Sequence, residues 1–240
     1  MSPLVKLVAY LSCSYLLEYF HSSGFPGVQL MPQHEKLETL QNYVETVIFR
    51  DIVERYQISN ITLLKYFIGV LLKNVAAPFS VNKFYNDIKS QGYAVGKDTL
   101  YSYLNYIEDA FLVFTVPIFT ESLRLLQTTP KKIYAVDNGL ILANTFNLSD
   151  NFGKLLENQV YLDLRREGKK IFYYRTSDGY EIDFITQDVH GNHEMIQVVW
   201  DTTHPKTRER EEMALAQAEK ELGFPGKLVD YTHYLRGFLV

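Results

Sequence analysis

The chain has 240 residues, of which 47% are hydrophobic and 22% charged, a composition typical of an ordinary soluble globular protein. Its net charge of −4 excludes a protein whose entire surface is a basic platform for nucleic acid, although a local basic patch can still bind. The single cysteine, Cys13, excludes an internal disulfide. The longest apolar run near the start is too short for a bilayer and lacks a signal-peptide pattern, so we expect no membrane association and a cytoplasmic location.

The first part of the chain is predicted to be helical. Apolar residues at helical spacing indicate a helix over residues 4–20, which Gly24-Phe25-Pro26-Gly27 interrupts. A second helix is predicted from about Glu35 to Tyr56, with charged residues near its end. Residues 1–57 therefore have the pattern of an incomplete helical unit.

Residues 58–120 change to three helical stretches followed by an apolar strand. Helices are predicted over residues 62–74, 80–92 and 97–109, with Ser80 as an N-cap, and a strand over residues 110–119. This order is typical of a winged helix-turn-helix, whose third helix is presented to a DNA groove. The segment from Ile58 to Leu104 has five lysines (65, 73, 83, 89 and 97) against two aspartates (87 and 98), a local excess of +3 in an acidic chain.

Residues 131–240 predict a third part with a small central mixed sheet. A helix over residues 152–167 is followed by strands near residues 171–174, 180–185 and 195–200. A charged helix over residues 208–222 and a last strand near residues 227–231 complete the segment. The predicted order is helix, strand, strand, strand, helix, strand, and the overall fold class is α+β.

This order resembles the PD-(D/E)XK, or restriction-endonuclease-like, nuclease core. The resemblance implies that Asp183, on the first strand of the hairpin, is a metal ligand. It also implies an acid and then a lysine on the second strand, but those positions hold Gln197 and Val199. The scaffold therefore resembles a nuclease while its chemistry is incomplete.

A wider resemblance covers nearly the whole chain. It rests on an ordered set of short segments: Gly24-Phe25-Pro26, Tyr43-Val44-Glu45, Arg50-Asp51-Ile52, Lys132-Ile133-Tyr134, Asp137-Asn138-Gly139-Leu140, Glu157-Asn158-Gln159-Val160-Tyr161, the hairpin strands and Arg210-Glu211. The set is similar to uncharacterised bacterial and archaeal AAA+-like ATPases whose C-terminal half carries a winged helix and a restriction-endonuclease-like domain. The resemblance implies a remnant of the ATPase lid at 1–57, a winged helix at 58–120 and a nuclease-like domain at 131–240.

The chain departs from that class in lacking a P-loop, G-x-x-x-x-G-K-S/T. The upstream ATPase domain is thus expected to be absent from this chain, which looks like a truncated or naturally shortened relative. ATP is expected to act only in a full-length parent.

Phosphodiester hydrolysis in this scaffold requires oxygen ligands for Mg²⁺ or Mn²⁺ and a cation near the developing charge. Glu157 and Asp183 are the candidate metal ligands, and Gln197 completes the degenerate catalytic set with a neutral carbonyl. Val199 supplies no charge. The structural alternative is a hydrogen-bonded polar cluster that fixes a helix to the sheet, so we favour a binding role over catalysis.

Candidate nucleic-acid contacts lie in both of the larger parts. Lys97, Thr99 and Tyr101 lie in the first turns of the predicted recognition helix and offer one cation and two hydroxyls. Arg175 at a predicted strand end, with Arg208 and Arg210, offers phosphate contacts. Instead of contacting nucleic acid, the tyrosine could serve in packing, and the arginines could serve only to keep the protein soluble.

The sequence thus favours the target-recognition portion of an AAA+-like ATPase, with DNA as the expected partner. Two other functions stay open: a metal-dependent DNA nuclease that uses Glu157, Asp183 and Gln197, and a protein-interaction module that binds no nucleic acid. Homo-oligomer formation is left open as well.

Overall fold

The computed structural model describes residues 14–20, 23–145 and 151–237. Its fold is α+β, as predicted. The helices are α1 (Pro26–Gln29), α2 (Gln33–Thr46), a π-helix (Val47–Glu54), α3 (Ile61–Lys73), α4 (Val81–Ser90), α5 (Lys97–Asp109), α6 (Leu123–Thr128), α7 (Asn138–Asn144), α8 (Phe152–Arg166), α9 (Pro205–Leu222) and α10 (Tyr231–Leu235). The strands are β1 (Ala77–Phe79), β2 (Val113–Val116), β3 (Lys131–Ala135), β4 (Lys170–Arg175), β5 (Glu181–Gln187), β6 (His193–Val198) and β7 (Gly226–Val229).

Residues 14–20 are also helical, and the earlier part of that predicted helix lies outside the described residues. Crossing a bilayer takes about 20 apolar helical residues. Within the described ranges, none of the helices combines the length and the apolar character that a membrane crossing requires.

Contacts between Cα atoms divide the chain into two compact units. Among the described residues, the three-stranded unit consists of residues 23–116 and 128–145, and the four-stranded unit of residues 14–20, 117–127 and 151–237. This division differs from the predicted domain boundaries, because β3 was expected in the C-terminal part. In the structure β3 is the central strand of the three-stranded sheet.

The sheet of the three-stranded unit has the order β1-β3-β2, with both neighbours antiparallel to β3. Ile133 of β3 lies opposite Ala77 on one side and Thr115 on the other. Ile133, Tyr134 and Ala135 are all buried. A strand buried along three consecutive residues has packing on both of its faces.

Helices α3, α4 and α5 supply the apolar core of this unit. Asn60 caps α3 by accepting the N–H of Leu63 at 3.0 Å, and Ser80 caps α4 by accepting the N–H of Lys83 at 3.2 Å. Their apolar stripes bury side chains that include Phe67, Ile68 and Leu71 of α3, Phe84 and Ile88 of α4, and Leu100 and Ile107 of α5. Each such burial stabilises the fold by roughly 1.5–3 kcal/mol.

The predicted helix from residue 35 to 56 is present but changes its winding. Regular α2 gives way at Val47 to a π-helix that ends at Glu54. Ile48 and Ile52 keep its apolar face buried. Single π-turns occur frequently at functional sites, and the apolar pattern alone carries no signal for them.

The four-stranded unit has the predicted order of helix, three strands, helix and strand. Its sheet order is β4-β5-β6-β7, antiparallel except for the parallel pair β6 and β7. Residues 182–186 of β5 are all buried, and α8 and α9 both pack against this sheet. One core cluster joins Ile182, Ile185 and Met195 to Ala214, Leu215 and Ala218 of α9.

Candidate functional site

Asp183 and Gln197 occupy adjacent strands of the four-stranded sheet, one position beyond the paired residues Phe184 and Ile196. The backbone N–H of Asp183 donates to Oε1 of Gln197 at 3.1 Å, and the N–H of Val198 donates to Oδ2 of Asp183 at 2.9 Å. Both side chains are buried. Each side chain therefore supplies an acceptor to a buried backbone N–H of the neighbouring strand.

The side-chain amide of Gln197 extends this network to helix α9. Its Nε2 donates to Oε2 of Glu211 at 2.8 Å, and the Arg210 guanidinium donates to the other oxygen, Oε1. Glu211 is buried, whereas the Arg210 side chain is 69% exposed. The orientation of the Gln197 amide is thus determined on both sides, since its oxygen accepts and its nitrogen donates.

This network limits what Gln197 offers to a metal ion. One lone pair of Oε1 is already used by the N–H of Asp183. In the described part of the chain, no group of three or more His, Cys, Asp or Glu side chains is placed to hold a metal ion. The roles of Glu157 and Asp183 as ligands for Mg²⁺ or Mn²⁺ stay predictions. The hydrogen bonds fit the structural alternative, in which a polar cluster fixes α9 to the sheet.

Glu157 lies in the buried middle of α8. Residues 155–162 are all buried, and the helix packs against β4 and β6. A helix that is buried on every side is a core helix. The structure therefore places Glu157, like Asp183, away from solvent, where a carboxylate requires polar partners.

The arginines predicted to contact phosphate already have acidic neighbours. Arg175 at the end of β4 lies 3.2 Å from Glu181, and Arg208 lies 2.7 Å from Glu212 one turn along α9. The Arg208 side chain is 61% exposed. More than half of each side chain is exposed, as for Arg210, and phosphate contact stays a prediction for all three.

Lysines and tyrosines meet on the exposed surface of α4 and α5. Lys97, Thr99 and Tyr101 are exposed on the first turns of α5. The ammonium groups of Lys89 and Lys97 each lie 5.6 Å from the ring centroid of Tyr85. A cation at this distance from an aromatic face is weakly attracted to it, which holds two positive charges near one ring.

Neighbouring side chains extend this surface. Tyr101 donates its hydroxyl to Oδ1 of Asn82 at 3.3 Å, and Lys83 is exposed on the same first turn of α4. We refer to the following residues as the α4–α5 face: Asn82, Lys83, Tyr85, Lys89, Lys97, Thr99 and Tyr101.

Asp137 joins two of the segments that carry the family resemblance. Its Oδ2 accepts the backbone N–H of Gly24 at 2.7 Å, and its Oδ1 accepts the N–H of Leu140 at 3.1 Å as the N-cap of α7. Ser23 has a left-handed backbone with φ of 72°, and its hydroxyl accepts the N–H of Phe25 at 3.1 Å. The turn before α1 is therefore fixed to the start of α7.

Gly139 is required by this contact. A Cβ at position 139 would lie 2.4 Å from Cβ of Ser23 and 2.9 Å from Oδ1 of Asp137. Any side chain here would displace the turn, so only glycine allows the two segments to approach.

An apolar cavity of about 360 Å³ lies beside this turn in the three-stranded unit. Its lining includes Phe25, Tyr43, Arg50, Phe111 and Leu140. Phe25 and Tyr43 pack edge to face with ring centroids 5.4 Å apart, and Phe111 has a left-handed backbone with φ of 56°. Four of these five residues belong to the segments that carry the resemblance.

A carboxylate with several donors ties α9 to the loop after β4. Glu221 accepts the Tyr174 hydroxyl at 2.7 Å, the Ser177 hydroxyl at 2.6 Å and the Gln217 amide at 2.8 Å. These hydrogen bonds, led by that of Ser177, lower the pKa of Glu221 to about 2. Burial and the neighbouring carboxylate raise the pKa of Tyr174 to about 12.

Sequence reasoning named Glu211 only as part of a motif and missed its role in the network. The buried positions of α9 are Glu211, Ala214, Leu215 and Ala218. Their spacing of i, i+3, i+4 and i+7 defines the core-facing stripe of the helix. A carboxylate on that stripe is the signal that would have identified Glu211.

The chain belongs to the family described as Domain of unknown function (DUF8612), which matches residues 14–151, more than half of its length. Residues 152–234, from the start of α8, match Domain of unknown function (DUF4143). The latter is a domain found in AAA-like ATPase-associated proteins.

Two curated relatives are uncharacterised proteins. MJ1544 of Methanocaldococcus jannaschii is 33% identical over an alignment of 214 residues that covers 87% of this chain and 46% of the relative. A protein of Haemophilus influenzae is 28% identical over 170 residues, or 71% of this chain and 42% of the relative. The chain thus spans less than half the length of these relatives. No solved structure matches it.

Proposed function

We propose that this chain is the DNA-associating C-terminal portion of an AAA+-like ATPase, and that its nuclease-like domain binds without cutting. The match to a domain of AAA-like ATPase-associated proteins supports the ATPase context. The relatives extend over more than twice the aligned length, which leaves room for a nucleotide-binding part. In this proposal ATP binds that other part, and the present chain recognises the target.

The plan of the three-stranded unit supports a winged helix. From α3 to β3, with α6 left aside because residues 117–127 belong to the other unit, the order is helix, strand, helix, helix, strand, strand, and the sheet order is β1-β3-β2. A compact three-helix unit with a small antiparallel sheet matches the winged helix-turn-helix plan. In that plan α5 is the helix offered to the groove.

The α4–α5 face is the observation that carries the proposal. Lys89 and Lys97 hold two ammonium groups beside the Tyr85 ring, and Thr99 and Tyr101 add hydroxyls on the exposed side of α5. Ammonium groups supply the phosphate attraction that dominates non-specific DNA affinity. Hydroxyl groups near such cations can bind the DNA backbone and fix its orientation, and hydroxyl groups or aromatic rings can contact bases.

The polar network of the four-stranded unit supports binding over cleavage. The position of the second acid holds Gln197, whose amide bridges Asp183 to Glu211. The position of the lysine holds Val199. A nuclease centre requires a hard-cation ligand and a positive charge at these two places, so this chain retains the scaffold with a structural network in it.

The experiment is a fluorescence anisotropy titration of a short labelled DNA duplex with the full chain at low salt. We expect saturable binding that Lys89→Ala combined with Lys97→Ala weakens strongly. The matched control is Lys170→Ala combined with Lys220→Ala, which removes two exposed charges from the four-stranded unit. The control is expected to bind like the unaltered chain.

The two rival functions have their own outcomes. Cleavage of plasmid or single-stranded DNA with Mn²⁺ that Asp183→Ala abolishes would establish the metal-dependent nuclease instead. A flat isotherm at low salt, where phosphate contacts are strongest, would favour a protein-interaction module.

A further inference from the structure

A polar cavity of about 510 Å³ opens in the four-stranded unit beyond the ends of β6 and β7. These two strands are parallel and end at Val198 and Val229. Besides Leu228 of β7, the lining includes polar residues of the segments that follow the two strands and of the start of α9: Thr202, Arg208, Glu212, Asp230, Thr232 and Arg236. The crevice at the carboxyl ends of parallel strands is the usual ligand position in open α/β sheets.

The carboxylate of Asp230 is already satisfied by its own surroundings. Its Oδ2 accepts the Thr202 hydroxyl at 2.6 Å, and its Oδ1 accepts the Thr232 hydroxyl at 2.6 Å and the N–H of His233 at 2.8 Å. Burial opposes ionisation, but the hydrogen bonds from the two threonines prevail and lower the pKa of Asp230. Each threonine has donated its only hydroxyl proton, so its oxygen is left as an acceptor.

The two arginines of the cavity, Arg208 and Arg236, have N–H donors that make no hydrogen bond with the described residues. Arg208 uses its Nε for Glu212 at 2.7 Å, and its terminal nitrogens make no hydrogen bond among the described residues. The guanidinium of Arg236 makes no hydrogen bond and no ion pair with any of the described residues. Planar guanidinium groups suit the oxygens of phosphate and carboxylate ligands.

The unused groups define a ligand with two kinds of chemistry. The guanidiniums favour an anion, while the threonine oxygens and Oε2 of Glu212, whose Oε1 already accepts from Arg208, favour hydroxyl or amine donors. A metal ion does not fit beside two arginines, and a simple anion without donors leaves the acceptors unmatched. We propose that this cavity binds a phosphate ester whose alcohol part carries hydroxyl groups, as in the ribose phosphate of a nucleotide.

Arg236 and Arg208 bind the phosphate in this proposal, and the oxygens of Thr202 and Thr232 accept from the sugar hydroxyls. The cavity shares no residue with the α4–α5 face, so the proposal does not depend on DNA binding by the three-stranded unit. A free nucleotide and the phosphorylated end of an RNA strand would present the same chemistry.

The test is an NMR titration of the full chain that follows the backbone amides and the arginine Nε–Hε signals. The probes are ribose 5-phosphate, inorganic phosphate and ribose, added at matched ionic strength. We expect saturable shifts at Arg208, Arg236 and the amides of Thr232 and His233. Ribose 5-phosphate should bind at least about tenfold more tightly than either fragment, since it satisfies charged and neutral hydrogen bonds together.

Two variants compare the loss of a charge inside the cavity with the loss of a charge outside it. Arg236→Ala should weaken ribose 5-phosphate by about tenfold or more, because a hydrogen bond to a charged group is lost. Arg236 is exposed, so the variant should keep the dispersed spectrum of the folded chain. Lys220→Ala removes one charge at the far end of α9 and should leave the affinity unchanged.

Three outcomes would overturn the proposal: no saturable response, equal affinities for inorganic phosphate and ribose 5-phosphate, or equal losses in Arg236→Ala and Lys220→Ala. Competition then assigns the source of the ligand. Displacement by AMP alone indicates a free nucleotide, and tighter displacement by a 5′-phosphorylated RNA tetramer indicates an RNA end. Both of these results support the site.

Discussion

The carboxylate of Asp137 accepts the backbone N–H of Gly24 at 2.7 Å across 113 positions of sequence. Its other oxygen caps helix α7 through the N–H of Leu140. One side chain therefore fixes the turn before α1 to the segment that follows the central strand β3. A hydrogen bond to a carboxylate is about twice as strong as one between neutral groups. We therefore expect these two hydrogen bonds to stabilise the three-stranded unit.

Replacement of Asp137 by alanine should lower the free energy of unfolding by roughly 2–3 kcal/mol, because a helix cap and a second charge-assisted bond are lost together. Urea denaturation followed by circular dichroism measures the change. The control is Ser80→Ala, which removes only the cap of α4 and should cost about 1 kcal/mol. Equal losses in the two variants would contradict the tie.

Gly139 and Gly69 should respond in opposite directions to alanine. At Gly139 the new Cβ would lie 2.4 Å from Ser23, so the turn must shift and the protein should be destabilised. At Gly69, inside α3, no heavy atom lies within 4 Å of the new Cβ. Helix propensity alone then predicts a gain of about 0.5–1 kcal/mol. Thermal melts of both variants check the signs, and stabilisation by Gly139→Ala would refute the close approach.

Helices α3, α4 and α5 of the three-stranded unit could be predicted because their signals are local. Ser80 marks the start of α4 as its cap, and apolar periodicity defined α3 and α5. Strand β1 was not predicted, since three residues that include Pro78 carry too little pattern. Its partner β3 lies more than 50 positions later, and periodicity does not reveal a pairing over that distance. The sequence therefore predicts β3 as part of residues 131–240, whereas it pairs with β1 and β2.

Replacement of Gln197 by glutamate should destabilise the four-stranded unit. The Gln197 Nε2 that lies 2.8 Å from Oε2 of Glu211 would become a carboxylate oxygen, so two like charges would meet where both residues are buried. The loss in unfolding free energy should diminish as the pH falls, because protonation of one acid restores a hydrogen bond. Adding Glu211→Gln should recover stability by exchanging the two roles. A double variant as unstable as the sum of the single ones would refute the bridge.

Acid should weaken the hydrogen bonds by which Glu221 holds helix α9 to Tyr174 and Ser177. Its folded pKa of about 2 lies below its ordinary value of 4.5, so its contribution is complete above 4.5 and is lost as the pH falls toward 2. Tyr174 acts in the opposite sense: its pKa is raised from 10.0 to about 12, so its contribution is lost as the pH rises through that range.

Urea denaturation at a series of acidic pH values should show the stability difference between the unaltered chain and Glu221→Gln shrinking below 4.5. Glu209→Gln, an exposed change on the same helix, is the control and should show no such trend. A difference that stays constant through this range would mean that the hydrogen bonds to Glu221 do not hold in solution.

Sequence reasoning named Asp183 and Gln197 as a pair, but it missed Glu211 as the partner of Gln197 and the lysines that lie beside Tyr85. Alternation in the hairpin placed Asp183 and Gln197 on neighbouring strands, and the structure joins them by hydrogen bonds. The link from Gln197 to Glu211 depends on how α9 packs against the sheet, which no local pattern specifies. The convergence of Lys89 and Lys97 on Tyr85 likewise depends on the packing of α4 against α5.

The most direct test of DNA association through the α4–α5 face is the salt dependence of duplex affinity. The logarithm of the binding constant should fall linearly with the logarithm of salt concentration. Combining Lys89→Ala with Lys97→Ala should reduce that slope by about 2, one for each phosphate contact removed. The Lys170→Ala and Lys220→Ala control should keep the full slope. No binding at low salt, or equal slopes for the Lys89 and Lys97 variant and the unaltered chain, would contradict the account.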